Sequence, residues 1–194
     1  MNNLSISFGQ KIPTAQCSVL DKKKDRFIPA ILYELDCSDS SDIDEISNIK
    51  APMPFKNSIA ANMRLKYAYQ KISSRKGNLD FYIFQTDEEK TLGICQVKKV
   101  DNNIEIDYIS TLQDKRYKYA GQSMLAAIGM RLLKKNGSKL IIGVSTEDAL
   151  PFYTEKCGFK QTQNEALKMN KKHIQKFIRR TQKKTNSPII DLRG

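Results

Sequence analysis

The segment from residue 79 to residue 145 changes its apolar period twice, and this change restricts the possible folds more than any other feature. Its first part contains three apolar stretches separated by the turn compositions "TDEE" and "DNN". These predict an antiparallel meander with strands at 79–85, 91–100 and 104–112. The next part, 118–135, has helical spacing, and 138–145 is too short for a helix. A strand, a helix and a buried strand in succession predict a βαβ unit, and hence an α/β fold with a central mixed sheet.

The flanking segments predict further elements around this sheet. Residues 26–35 have strand composition, Asp39 or Ser40 could cap a short helix, and 57–77 has helical spacing. A short helix is predicted within 146–159, a strand or hairpin at 160–169, and a basic helix at 171–184. We therefore expect one domain over 1–185 with its core at 79–169, no motif in 1–50, and a flexible tail at 186–194.

Gly121 lies at the start of the helix at 118–135, just after a basic, tyrosine-rich turn. The first amides of a helix lack intrahelical acceptors, and the positive end of the helix dipole lies at the same place. A glycine there lets a phosphate approach the backbone closely. The segment predicts an anion site, although a glycine that only begins the helix is the alternative.

Charge and cysteine content limit the class of protein. Lys and Arg number 33 against 21 Asp and Glu, which gives a net charge of +12 and favours anionic partners. The four cysteines are far apart in the sequence and form no C-x-x-C pair, and the chain contains a single histidine. This pattern indicates neither a zinc site nor a disulfide framework. No apolar run is long enough to span a membrane, and no secretory signal is present. We therefore expect a cytoplasmic protein.

The order of these elements resembles the GNAT superfamily of acyl-CoA-dependent N-acetyltransferases. The family's cofactor motif is Arg or Gln, two residues, Gly, one residue, then Gly or Ala, and here "KYAGQS" at 118–123 is similar to it. Lys118 and Ser123 are substitutions within this motif. A lysine keeps the cation without the guanidinium fork, and serine is still small.

The stretch "TEDALPFYTEKCGF" at 146–159 resembles the second cofactor segment of these enzymes. Thr146 stands where Asn is usual, and Gly158 follows Tyr153 by five residues instead of four. One extra helical residue rotates a side chain by about 100°. Tyr153 keeps the family's orientation only if the end of this helix is irregular.

The resemblance implies acetyl-CoA as cosubstrate and a set of residues that bind it. In this family the strands corresponding to 104–112 and 138–145 separate at their ends, and the pantetheine arm bonds the exposed strand edge. The implied cofactor-binding residues are Leu112, Gln113, Lys118, Tyr119, Ala120, Gly121, Gln122, Ser123, Met124, Thr146 and Ala149.

The resemblance also implies direct transfer of an acetyl group to a primary amine. Tyr153 is the candidate acid that protonates the leaving thiolate, and its alternative is a tyrosine packed on the sheet with Phe152. Glu105 and Asp107, two residues apart in a strand, are candidate bases, and the alternatives are solvated carboxylates or a chain of water molecules. No metal is implied.

A second hypothesis is a GNAT-like binding module without catalysis. The run at 168–184 contains eight Lys or Arg and no acid, so it could contact RNA or an acidic protein. A charge run is more often a solvated helix face. The sequence specifies neither the acceptor amine nor the oligomeric state.

Overall fold

The computed structural model describes residues 11–35, 79–111, 116–143 and 147–193. The helices predicted after residue 39 and over 57–77 lie outside the described residues. Leu112, Gln113 and Thr146 also lie outside them.

A mixed sheet organises the described part of the chain. The first five strands are β1 (Ile12–Asp21), β2 (Arg26–Leu35), β3 (Leu79–Thr86), β4 (Thr91–Val100) and β5 (Asn103–Thr111). The strands of the sheet follow the order β10 (Ile190–Asp191), β1, β2, β3, β4, β5, β7 (Lys139–Ile142), β9 (Leu167–Asn170) and β8 (Lys160–Gln161), and β6 (Tyr117–Lys118) pairs with β1. The predicted meander is confirmed, because β3, β4 and β5 pair antiparallel in sequence order. The predicted strand at 26–35 is confirmed as well, whereas β1 was not predicted.

A helical crossover joins the meander to the next strand. After the short β6 (Tyr117–Lys118), helix α1 (Ala120–Lys134) leads to β7 (Lys139–Ile142), which pairs parallel with β5. This confirms the βαβ unit predicted from the apolar pattern. The helix packs on the sheet with every residue from Gln122 to Gly129 buried, because small and apolar residues dominate this stretch.

The chain then forms a hairpin and a second long helix. Strands β8 (Lys160–Gln161) and β9 (Leu167–Asn170) pair antiparallel, and β9 also pairs with β7. Helix α2 (Lys171–Thr185) follows at once, with the Asn170 side chain accepting a hydrogen bond from the His173 amide as an N-cap. Ile174, Phe177 and Ile178 are buried, as the predicted amphipathic helix requires.

The C-terminal tail differs from the flexible segment expected at 186–194. Residues Ile190–Asp191 form β10 and pair antiparallel with β1. Asp191 makes an ion pair with Lys134 at 3.2 Å, and Arg193 makes one with Glu34 at 3.1 Å. The tail is ordered because β1, which the sequence did not reveal, offers it a strand edge.

The two helices lie close together over the sheet. Gly129 of α1 faces Ile174 of α2, and a Cβ at Gly129 would lie 2.9 Å from the Ile174 Cγ2 atom. Glycine therefore permits the close approach of the two helices. No helix among the described ranges has the length and apolarity needed to cross a bilayer.

Candidate cofactor and active site

The first turn of α1 leaves several amides available to a ligand. Tyr119 precedes the helix in the left-handed region, with φ 73°, and no side chain caps the helix start. The Ser123 amide donates to the Tyr119 carbonyl at 2.9 Å, so it is the first to bond within the helix. The amides of residues 120–122 therefore have no intrahelical acceptor, and no acidic residue lies in this turn. Such a helix start favours an anion.

Gly121 does more than begin the helix. A Cβ at this position would lie 3.1 Å from the Phe152 Cζ atom and 3.4 Å from the Thr111 Cγ2 atom. The end of β5 and the helical segment around Phe152 thus converge on this glycine. A larger residue would extend into the space where these elements meet, so close packing is itself a reason for glycine at this position.

A pocket of about 430 Å³ opens at this convergence. Among the described residues its lining consists of Thr111, Tyr117, Lys118, Tyr119, Ala120, Gly121, Gln122, Phe152, Lys156 and Lys184. Three lysines from three different elements face it, and no carboxylate does. The pocket therefore combines helix amides with an excess of positive charge.

The predicted cofactor residues divide into three groups. Lys118, Tyr119, Ala120, Gly121 and Gln122 all line the pocket. The structure does not bring Ser123 or Met124 there. Both are buried, because the Ser123 hydroxyl donates to the Ser18 carbonyl of β1 at 2.9 Å and Met124 packs against Gly93 of β4.

Ala149 does not line the pocket. Ala149 ends a 3-10 turn (Glu147–Ala149) and packs at the margin of the core. Leu112, Gln113 and Thr146 belong to the segments outside the described residues, so their predicted roles stay predictions.

Strands β5 and β7 pair over only part of β5. Their parallel ladder ends at the pair Ile106 and Ile142, whereas β5 continues to Thr111 at the pocket. The register of β5 against β4 shifts between Ile106 and Tyr108, which makes Asp107 the extra residue of a β-bulge. Among the described residues, β5 is no longer paired with β7 from residue 107 onward, where the sequence predicted that the two strands separate.

The helical segment that carries Tyr153 has an irregular end. Phe152–Cys157 is a π-helix, in which the Gly158 amide donates to the Tyr153 carbonyl five residues earlier at 2.9 Å. Gly158 then takes the left-handed conformation, with φ 89°. A π-turn accommodates one more residue than an α-turn. The π-turn therefore accommodates the extra residue between Tyr153 and Gly158.

The Tyr153 ring is buried against the sheet. It is 8% exposed and packs edge-on against Phe152 and Phe159, with ring centroids 5.2 and 5.9 Å away. Burial raises the pKa of this phenol, and the neighbouring Cys95 and Cys157 thiols raise it further. Cys95 pairs with Ile109 of β5, just beyond the bulge. The phenol is therefore neutral at pH 7 and lies beside the stretch where β5 leaves β7.

The candidate bases lie on β5 near the same point. Glu105 is half-buried, and its Oε1 atom is 3.2 Å from the place that a Cβ of Gly143 would occupy. Asp107 is exposed at the bulge. Tyr108 and Gln96 are register partners, and Ser110 is two residues farther along β5. Because Thr111 faces α1 and side chains alternate, Ser110 and Tyr108 face away from α1.

An ion pair fixes the chain just before the pocket. Asp21, fully buried at the end of β1, accepts hydrogen bonds from Arg116, with Nε to Oδ1 at 2.9 Å. Arg116 is therefore the main cause of the lowered pKa of Asp21, although burial opposes it. The next residues, Tyr117 and Lys118, pair with Asp21 and Leu20. Strand β1 thus holds the segment that leads into α1.

Several residues that line the pocket were not assigned to the cofactor site from the sequence. These are Thr111, Tyr117, Phe152, Lys156 and Lys184. The excess of positive charge in the sequence predicted basic residues at an anion site, but net charge does not show which lysines lie there. Lys184 is 63 residues from Gly121 in the sequence and reaches the pocket only because α2 packs on α1.

Comparison with solved structures supports the same fold. AtaTR bound with AcCoA shares 16% identity with this chain, with a TM-score of 0.56 over 75% of this chain and 96% of that one. The PaiA N-acetyltransferase from Thermoplasma acidophilum, in complex with coenzyme A, shares 17%, with a TM-score of 0.52 over 73% and 98%. An acetyltransferase of the GNAT family from Staphylococcus aureus Mu50 shares 13%, with a TM-score of 0.54 over 73% and 99%.

The similar structures establish the fold of this molecule. No protein-family model matches the sequence, and no curated protein matches it at the sequence level. The described part of the chain nevertheless has the GNAT fold, as the order of its elements predicted.

Proposed function

We propose that this protein is an acetyl-CoA-dependent N-acetyltransferase that transfers the acetyl group directly to a primary amine. The observation that carries the proposal is the pocket at the start of α1. Three amides without intrahelical acceptors and three lysines face one space beside Gly121, at the end of a strand that has separated from its parallel neighbour. AtaTR and the PaiA enzyme, which share this fold, were crystallised with acetyl-CoA and coenzyme A.

The residues present fit the cofactor. The amides of residues 120–122 bind the pyrophosphate, and Gly121 provides the room, since a Cβ there would contact Phe152. The backbone of β5 beyond Ile106 bonds the amides of the pantetheine arm, as an added strand would. The thioester then lies near the bulge at Asp107.

The transfer needs a neutral amine, a proton for the leaving sulfur and a fixed geometry. The amine nitrogen attacks the thioester carbonyl carbon, so a C–N bond forms and the C–S bond breaks. Tyr153 donates its phenolic proton to the departing thiolate. Its raised pKa keeps it protonated at neutral pH, so a proton is available where the thiolate forms.

The amine loses its proton to a base on β5. Glu105 is the better placed of the two candidates, because it is half-buried where β5 and β7 separate, whereas Asp107 is exposed. Tyr108 and Ser110 lie on the strand face away from α1, where the acceptor enters.

Calorimetry with acetyl-CoA and CoA tests the proposal. We expect micromolar binding by the native chain and none by Gly121→Glu, whose carboxylate would enter the pocket and repel the phosphates. Gln175→Glu, which adds the same charge at an exposed position of α2, is the control and should bind normally. No heat of binding for either ligand at high micromolar concentration refutes the enzymatic function.

The same measurement separates the enzyme from the alternative binding module. A chain that bound mixed RNA at low salt but neither acetyl-CoA nor CoA would support the module. Binding of acetyl-CoA followed by release of the CoA thiol in the presence of an amine would support the enzyme. A panel of polyamines, aminoglycosides and lysine peptides would then identify the acceptor class.

A further inference from the structure

We infer that Lys156 and Lys184 recognise the 3′-phosphate of coenzyme A, so that the protein distinguishes CoA from dephospho-CoA. This inference rests on the proposed function, since it concerns the same pocket. It assigns a role to Lys184, a residue of the basic run, and to Lys156, which lies in the stretch 146–159 but was given no role there.

The two lysines are brought together by a defined set of contacts. The Lys156 carbonyl accepts hydrogen bonds from Gln122 of α1 at 3.1 Å and from Arg180 of α2 at 2.8 Å. Lys184 lies one turn after Arg180 on the same face of α2. Arg180 and Lys184 are both close enough to lower the pKa of the neighbouring Cys157 thiol, against the larger effect of its burial. The backbone that carries Lys156 is thus held by both helices.

Neither lysine is neutralised within the described part of the chain. Neither one forms an ion pair with another described residue, and no carboxylate lines the pocket. Three ammonium groups around one small space repel one another. Such a cluster costs free energy in the absence of an anion, and a polyanionic ligand offsets that cost.

The amount of positive charge exceeds what a pyrophosphate requires. The pyrophosphate carries about one negative charge per phosphorus. It would be bound by the amides of residues 120–122, by the helix dipole of about half a charge and by Lys118. A phosphomonoester adds about −1.5 to −2 at neutral pH. Lys156 and Lys184 supply the two further positive charges that this group would need. The charges of the whole pocket therefore match CoA better than dephospho-CoA.

The test compares binding of CoA and dephospho-CoA, which differ only in the 3′-phosphate, by calorimetry at low and moderate salt. We expect CoA to bind the native chain at least 10-fold more tightly. Lys184→Ala and Lys156→Ala should each weaken CoA binding about fivefold, as for a partly exposed ion pair, and leave dephospho-CoA binding nearly unchanged. Lys183→Ala removes the same charge from the exposed neighbour of Lys184, outside the pocket, and should change neither affinity.

The outcomes separate this inference from the proposed function. Equal affinities of the native chain for CoA and dephospho-CoA overturn the inference and leave the proposed function intact. A Lys184→Ala variant that loses the same factor for both ligands also overturns it, because the lysine would then act on the pyrophosphate. A native chain that binds neither ligand overturns both.

Discussion

Replacing Tyr153 by Phe tests the proposed acid with little change to the structure. The substitution removes only the hydroxyl and keeps the ring between Phe152 and Phe159. Within the described ranges no residue forms a hydrogen bond with this hydroxyl, so its removal breaks no native bond there. We expect the free energy of unfolding to stay within about 1 kcal/mol of the native value, since a hydroxyl that forms no hydrogen bond with a described residue contributes little net stability.

The effect on the reaction should be much larger. Loss of a general acid typically costs about 10² to 10⁴ in rate, so kcat should fall by at least about 100-fold. Acetyl-CoA affinity should be almost unchanged, because Tyr153 is not among the pocket residues. The assay is release of the CoA thiol with an accepted amine, followed over pH, together with calorimetry and chemical denaturation of the same preparation.

Tyr82→Phe is the matched control for this substitution. Tyr82 is also buried on the sheet, and burial raises its pKa too, but it lies near Arg131 and Asp80 and not at the pocket. This variant should keep its kcat. An unchanged kcat for Tyr153→Phe would refute the acid role, and Tyr153 would then be a packing residue of the core.

Three further predictions address the base, the entry to the pocket and the helix packing. Glu105→Gln should lower kcat by about 10² or more with little change in acetyl-CoA affinity, whereas Asp107→Asn should have a small effect; the reverse ranking in the thiol-release assay would transfer the role to Asp107. Asp21→Asn should destabilise the fold at pH 7 and weaken CoA binding. Because the pKa of Asp21 is lowered in the folded state, its contribution to stability is present above the unfolded pKa of about 3.9 and is lost as pH falls toward the folded pKa. The free energies of unfolding of the native and variant chains should therefore converge in acid. A difference between them that does not depend on pH would contradict the ion-pair explanation. Gly129→Ala should destabilise by about 1 kcal/mol, because crowding of Ile174 at about 1–3 kcal/mol exceeds the gain in helix propensity of about 1 kcal/mol. In an Ile174→Ala background the same substitution should stabilise, and a sign that stays the same would show that this contact is not the cause.

Local patterns made most of the sheet predictable. The meander and the βαβ unit follow from apolar alternation, from the turn segments "TDEE" and "DNN", and from the helical spacing after Gly121. Strand β1 was not predicted because "IPTAQCSVLD" contains Pro13, Gln16 and Ser18 among its apolar residues. It forms a strand by pairing with β2 and with β6 and β10, and the last two are distant in the sequence.

The site was predictable only where one segment forms it. Lys118 to Gln122 are contiguous, and their position at the start of a helix was enough to predict an anion site. Lys184 required the packing of α2 on α1, and no local pattern encodes that. The five-residue gap between Tyr153 and Gly158 was visible in the sequence, but whether a π-turn would absorb it depends on the tertiary contacts of both residues.

Phosphate binding at the start of α1 can be tested by the changes in backbone amide chemical shifts on addition of CoA. If the start of α1 binds the phosphates, the amides of Ala120, Gly121 and Gln122 should show large shifts that saturate with the calorimetric affinity. Exposed residues of α2 outside the pocket, such as Lys172 and Lys176, should be nearly unaffected. Shifts confined to that exposed face of α2, with the three amides unchanged, would contradict phosphate binding at the start of α1.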